Sequence, residues 1–416
     1  MVLSPAATAP KGDFWYSNAT FFIGMHLLAF YGVVVLSPWS QLSWSTFSLC
    51  LTSWQLATFG ITVGYHRLWS HRSFSASLPL RIVLAGMGCL GFQGSIKWWV
   101  LRHRLHHRYT DTSSDPYNAK QGLYHSHMGW IFRKPNYPRM ALVDRKDLEA
   151  DPVVRLQHRY YIPLTLGLGL GAPTLIGGLW DDSLGGFIWG GIIARLLIWH
   201  CTFAINSFAH FLGEQAYSED VTARGNMLLA VVTGGEANHN YHHAFPKDYR
   251  NGPRLLDWDP TKWLIYTLHH LTPSLVPKIH QTPESEILKA RAHVLEGRAD
   301  RARSKEEAEE SESSALGRKG GLPRWTKKQL VQQVSSLRAD SSEEKQPILL
   351  LLLEGFAVDV SAYASEHPGG VAILQEFAVS SEEEVKDATE SFLELNDHGW
   401  SAREKMRGLR VARVVD

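Results

Sequence analysis

Up to residue 213 the chain alternates long apolar stretches with polar ones, and beyond that point charge dominates. Phe21 to Trp39 is almost wholly apolar, interrupted only by His26 and Ser37, and is long enough to cross a bilayer as a helix. Phe47 to Tyr65 predicts a second span. Thr52, Ser53, Gln55, Thr58 and Thr62 make it too polar for a lipid-facing helix, so it is expected to pack inward and deliver His66 at its end. Residues 79–100 are apolar but broken by Arg81, Gln93, Lys97 and several glycines, which suits an interfacial or domain-buried helix better than a span. A polar stretch from Arg104 to Tyr160 follows.

Tyr161 to Trp180 predicts a third span, glycine-rich and suited to close helix packing. A fourth runs from near Gly185 past Trp199 to Phe211 and carries Arg195, His200, Asn206 and His210. Such residues are costly in a membrane unless they face a cavity or a partner. Four spans return the chain to its starting side. The Lys- and Arg-rich segments 66–160 and 213 onward then share one side, while the loops near residues 40 and 181 lack cations. That asymmetry predicts a multi-pass protein with both termini in the cytosol.

Residues 298–321 hold almost no large apolar side chain and predict a solvated linker with a helical start. A second domain begins near Leu322, in which the run Leu349 to Leu353 is too short to span and fits a buried strand. The expected division is therefore a membrane domain over 1–296, a charged linker over 297–321 and a small domain over 322–416. Cys50, Cys89 and Cys201 are odd in number and set among apolar residues, which points to reduced buried thiols. Residues 1–20 lack the pattern of a cleaved signal peptide. The net charge of +1 splits unevenly: residues 322–416 carry 16 Asp and Glu against 11 Lys and Arg, net −5, which leaves +6 on the remainder. No nucleic acid partner is expected.

Three histidine runs carry the candidate chemistry: His66-Arg-Leu-Trp-Ser-His71, His103-Arg-Leu-His-His107 and His239-Asn-Tyr-His-His243. Spacings of three and four place the rings of the last two on one helix face. The five-residue spacing of the first does so only if one histidine sits at or beyond a helix end, so His71 is expected to follow a terminus. A single such run could be an ordinary polar surface. Eight clustered imidazoles next to membrane-length segments exceed what one tetrahedral ion can use, and they imply two metal ions with open positions.

These runs, with Trp99 before the second, Asn206-Ser-Phe-Ala-His210 and Asn238 before the third, resemble the integral-membrane acyl-CoA Δ9 desaturases over roughly residues 14–296. The resemblance implies a mainly α protein with four transmembrane helices and a cytosolic helical cap holding two irons. By position the ligands would be His66, His71, His103, His106, His107, His210, His239, His242 and His243, with Asn206 acting through a water. Asn206 and His210 are four apart, a spacing that puts both on one helix face. The resemblance further implies a kinked tunnel for a fatty acyl-CoA, a cis double bond and two waters formed per O2. Asn18, Arg133 and Lys134 match residues that hold the coenzyme A head group, and Gln93 and Trp99 would line the tunnel. Trp54 and Thr58 fall where a chain-length stop would lie.

Ala364-Ser-Glu-His-Pro-Gly-Gly370, with Phe356-Ala-Val-Asp-Val360 before it and Asp387-Ala-Thr-Glu-Ser-Phe392 after it, resembles the cytochrome b5 motif. The likeness implies a small α+β domain binding haem b between His367 and His398 and accepting electrons from an NADH-cytochrome b5 reductase. Six-coordinate haem suits electron transfer. An acidic haem domain tethered to a basic catalytic one favours productive docking. The fusion resembles the fungal form of the enzyme, a stearoyl/palmitoyl-CoA desaturase of the endoplasmic reticulum membrane. A hydroxylase of fatty-acyl or sphingolipid substrates, or a desaturase of other regiochemistry, carries related clusters. A membrane haem or metal adaptor without turnover is the alternative from a different class.

Overall fold

The computed structural model describes residues 12–314, 322–339, 348–367, 371–380, 385–394, 405–406 and 408–415. Two compact units meet in the sequence at Val294 and Leu295.

The first unit is helical. Among the described residues, three helices are long and apolar enough to cross a membrane: α1 (Tyr16–Leu36), Tyr161–Trp180 and Ser183–Phe211. Only 17% and 22% of the apolar windows of the first two are buried within the protein, against 61% for the last, so Ser183–Phe211 is the central one. The segment expected as the second span differs. It lies in α2 (Trp44–Phe59), which continues directly as a π-helical segment, Gly60–Ser70. Its length suffices, but Ser45, Thr46, Ser48, Thr52, Ser53, Gln55 and Thr58 dilute its apolar character, and it is not among the three. Inward packing, expected from the polar positions, holds for Ser53, Thr58 and Thr62, whereas Thr52 and Gln55 are exposed. All eleven residues of Gly60–Ser70 are buried, as are Thr46, Ser53 and Thr58. At Gly60 a Cβ would lie 2.3 Å from backbone atoms of Met87 and Gly88, so only glycine lets this helix touch the next backbone to backbone.

Residues 79–100 form two helices, α3 (Leu78–Cys89) and α4 (Ile96–Tyr109). Between them Phe92 and Gly94 take positive φ angles of 52° and 90°, which no helix can contain. Ser95 restarts the helix by accepting a hydrogen bond from the Trp98 amide. A short antiparallel pair, β1 (Phe74–Ser75) with β2 (Lys278–Ile279), closes the unit. The helix Glu284–Ser314 runs through much of the expected linker, because its Ala, Glu, Arg and Lys residues are strong helix formers.

The second unit contains a four-stranded sheet in the order β3 (Arg324–Thr326), β6 (Arg410–Val415), β5 (Phe356–Asp359), β4 (Leu350–Leu353). β3 runs parallel to β6 and the other pairs are antiparallel. β4 is buried throughout, as its uninterrupted leucines suggested. Leu351 and Leu353 enter one apolar cluster with Val358 and Leu374, and Leu350 enters another with Leu330 and Val334, so both faces of the strand are covered. His367 is half-buried, follows the 3-10 helix Ser361–Glu366 and meets the Tyr363 ring edge-on at 5.9 Å. His398 lies outside the described residues.

Candidate metal centre

The π-helical segment solves the five-residue spacing of the first histidine run. An i→i+5 turn stacks residue 71 over residue 66, and the His71 amide donates to the His66 carbonyl at 3.2 Å. His71 is also the residue that ends this helix, the terminus its spacing called for. His103, His106 and His107 project from α4, and the third run forms a short helix, His239–Ala244. His210 comes from Phe208–Phe211, separated from Ala194–Asn206 by a break at Ser207 (φ −115°, ψ −81°). The face expected to be shared by Asn206 and His210 assumed an unbroken helix, and this break removes that assumption.

All nine expected histidines fall into two groups whose ligand atoms lie within 4.8 Å of one another: His66, His71, His103, His107 and His242 in one, and His106, His210, His239 and His243 in the other. Nε2 atoms face Nε2 atoms. The separations are 3.0 Å for His66–His242, 2.8 Å for His71–His103 and 3.0 Å for His242–His107. In the second group they are 3.3 Å for His106–His243, 3.1 Å for His239–His210 and 3.1 Å for His243–His239. An ion about 2.1 Å from each nitrogen, with ligands in cis positions, would hold them roughly 3.0–3.4 Å apart.

The tautomers support the same fit. His66 Nδ1 lies 2.8 Å from a Glu236 oxygen and His106 Nδ1 lies 2.8 Å from Asp115. A carboxylate only accepts, so Nδ1 carries the hydrogen and Nε2 presents a bare lone pair. Lone pairs set against each other repel, and a cation between them removes the repulsion. Burial first, and then mutual repulsion, hold His71, His103, His107, His239, His242 and His243 well below the usual imidazole range, so they stay neutral, the form that binds metal. The donor set fits two ions.

A buried polar frame that the motifs did not reveal stands behind the rings. Arg67, 1% exposed, donates to both oxygens of Asp259 (3.0 and 2.8 Å), to Glu236 (2.9 Å) and to the Tyr249 carbonyl (2.7 Å). Burial pushes the Glu236 carboxyl upward, but Arg67 and His66 outweigh it and hold it at about 2. Thr222 Oγ1 lies 2.8 Å from His210 Nδ1 and donates to Asp111 at 2.7 Å. Signals for these residues did exist: Arg67 adjoins His66 in an apolar helix, and Glu236 is an isolated acid three residues before His239.

A cavity of about 550 Å³ adjoins the first group. His103 lines it, with Phe22, Phe92, Trp130, Trp199 and Phe203 among its apolar walls and Arg102, Arg133 and Arg159 as its cations. Of the expected substrate residues, Asn18, Gln93, Trp99 and Arg133 line it, as does Asn206, whereas Lys134, Trp54 and Thr58 do not. Lys134 is exposed and 3.9 Å from Asp13. The Trp99 ring stacks on His103 with centroids 4.8 Å apart. Its indole N–H donates to Gln93 Oε1 at 3.2 Å, and Gln93 donates to Thr202 at 2.8 Å, so the wall is locked to a ring of the histidine group. His127 touches none of the nine; it pairs with Ser207 at 2.9 Å and His200 at 3.1 Å.

The family profile described as Fatty acid desaturase matches residues 42–255, a span that includes all nine histidines. The chain is 36% identical to a protein of Schizosaccharomyces pombe named Probable acyl-CoA desaturase, over 94% of this chain and 75% of that one. It is 38% identical to Acyl-CoA desaturase 1 of Saccharomyces cerevisiae, over 96% of this chain and 73% of that one. With Stearoyl-CoA desaturase 5 of Bos taurus it shares 37% identity over 63% of this chain and 78% of that protein.

Proposed function

The chain belongs to the fatty acid desaturase family, and from that premise we propose that it inserts a cis Δ9 double bond into saturated stearoyl- and palmitoyl-CoA in the endoplasmic reticulum membrane. The observation that carries the reading is the convergence of nine imidazoles into two groups beside an apolar cavity. It is an acyl-CoA desaturase, a membrane oxidoreductase of lipid metabolism. The net reaction joins one saturated acyl chain, O2, two electrons and two protons to give one alkene and two waters. The nine histidines, with Asn206, would hold two irons, and these would supply the O2 activation that an unactivated methylene demands.

The chain's own residues do the rest. The aromatic walls of the cavity accept an alkyl chain and exclude water, while Arg133 and Asn18 suit the phosphates and polar groups of coenzyme A. The lock from Trp99 through Gln93 to Thr202 fixes the wall against His103, which sets which carbons lie beside the histidines. In this reading Lys134 adds only long-range charge. Four spans, with residues 47–65 of α2 and the start of its π-helical extension as the second, would leave the histidine runs and both termini on the cytosolic side.

Residues 322–416 are read as a cytochrome b5-like haem domain with His367 and His398 as axial ligands, fed by an NADH-cytochrome b5 reductase. The motif around His367 supports this; the matches to the two yeast proteins, covering 94% and 96% of the chain against 63% for the bovine one, extend into this C-terminal region. Residues 297–321 would then serve as the connection between the membrane domain and this one. Expression in a desaturase-deficient host, followed by mass spectrometry of lipid double-bond positions, tests the main claim: Δ9 monoenes are expected, and hydroxylated lipids without monoenes overturn it. His367→Ala in the full chain should abolish self-sufficient turnover yet allow rescue by added cytochrome b5; no loss of turnover refutes the haem role.

A further inference from the structure

His210 is the one imidazole of the nine that comes from outside the three histidine runs, and its orientation depends on a chain of hydrogen bonds that begins at Asp111. Asp111 lies just past α4 with φ at +66°, the left-handed region that Asp tolerates better than most residues, and it is buried. Both of its oxygens are taken by one residue: the Thr222 amide donates at 2.6 Å and the Thr222 hydroxyl at 2.7 Å. A hydroxyl has a single hydrogen, and a carboxylate can only accept. The hydrogen of Thr222 Oγ1 is therefore committed to Asp111. Toward His210 Nδ1, 2.8 Å away, Thr222 can only accept. His210 must carry its hydrogen on Nδ1, and its Nε2 lone pair is left facing Nε2 of His239, 3.1 Å away.

The same turn serves a second ring of that group. The Asp111 amide donates to Asp115 Oδ2 at 2.9 Å, and Asp115 Oδ1 meets His106 Nδ1 at 2.8 Å. His239 Nδ1 has no hydrogen-bond partner among the described residues, so it receives no such guidance. The five-histidine group uses a different frame, through His66, Glu236 and Arg67. The two frames share no residue in these contacts.

We propose that Thr222, held by Asp111, is a positioning residue for the four-histidine metal position alone, and that the two metal positions can therefore be weakened independently. The proposal rests on the reading that the nine histidines hold two ions. Thr222 touches no ion; it selects the His210 tautomer. Loss of such a partner typically weakens metal affinity by about 10–100-fold.

The test is an anaerobic Fe²⁺ titration of metal-stripped, full-length protein in detergent, comparing wild type with Thr222→Val and Thr222→Ser. Valine keeps the shape of threonine and removes the acceptor, whereas serine keeps it. Wild type and Thr222→Ser are expected to bind two ions alike. Thr222→Val should bind one ion as tightly as wild type and the other about 10–100-fold more weakly. The thermal midpoint of each stripped variant is measured beside the titration, because a merely structural defect would lower it and weaken both ions together. Equal weakening of both ions, or a Thr222→Val isotherm matching wild type, overturns the proposal. A wild-type chain that binds fewer than two ions overturns the two-ion reading itself, and the proposal falls with it.

Discussion

Replacing Arg67 with methionine should destabilise the helical unit more than any other single change at the centre. The guanidinium is 1% exposed and makes four hydrogen bonds, two to Asp259, one to Glu236 and one to the Tyr249 carbonyl. Methionine fills much of the same volume, so packing changes little, but two buried carboxylates lose their cation. Breaking a buried ion pair by removing one partner costs about 3–5 kcal/mol, since the remaining charge stays desolvated. For a unit of this size each kcal/mol shifts the midpoint by about 2–4 °C, so a fall of roughly 6–20 °C is expected. Arg67→Lys separates charge from geometry. An ammonium keeps the positive charge but cannot bridge both carboxylates as the planar fork does, so a loss of about 1–3 kcal/mol is expected. Thermal unfolding followed by tryptophan fluorescence, on metal-stripped full-length protein, keeps metal binding out of the comparison. If the methionine variant melts within about 3 °C of wild type, or the lysine variant is no better than the methionine one, the frame does not hold the centre in the way argued.

The remaining predictions concern protons, ligands and substrate. Seven ring histidines, His210 among them, are held below the usual imidazole range, so below about pH 6.5 the unfolded chain binds protons that the folded one does not. Stability of the stripped protein should therefore fall as pH drops through that value, and a midpoint that stays flat from pH 7.5 to 5 would contradict the burial argument. Glu236, held at about 2, adds stability that is present above the ordinary glutamate range near 4.3 and is lost only as pH falls toward 2; Glu236→Gln should remove that acid-side slope in a pH series of denaturant melts. Arg133→Glu is expected to raise KM for acyl-CoA several-fold with kcat nearly unchanged, because the side chain lines the cavity and touches no histidine ring; a matching fall in kcat would place it in the chemistry instead. Chelation should lower the midpoint of the holoprotein and Fe²⁺ should restore it, whereas indifference to chelator would remove the metal from the account.

What could be read from the chain, and what could not, follows from how far each signal reaches along it. The histidine runs are local. A His-x-x-His-His pattern announces its ligands whatever the fold does around it, and apolar length announces α1, Tyr161–Trp180 and Ser183–Phe211 just as directly. The assignment of rings to ions is not local, and it divides both of those runs. His103 and His107, four apart, join one group while His106 between them joins the other; His242 likewise leaves His239 and His243. At 100° per residue, positions i and i+4 differ by about 40° around the helix and i+3 falls about 60° to their other side, so a helix lying between two ions must share its rings out. No inspection of one run could show that, because it depends on where the second helix lies. The π-helical segment was hidden for a related reason: hydropathy reports which residues are apolar, and it is insensitive to whether a turn closes at i+4 or i+5. The polar frame needed the fold outright. Thr222 and Asp111 are 111 residues apart, and each is unremarked in its own neighbourhood. Their meaning comes from the single hydrogen on the hydroxyl between a carboxylate and an imidazole, and that constraint exists only once the chain has brought all three together.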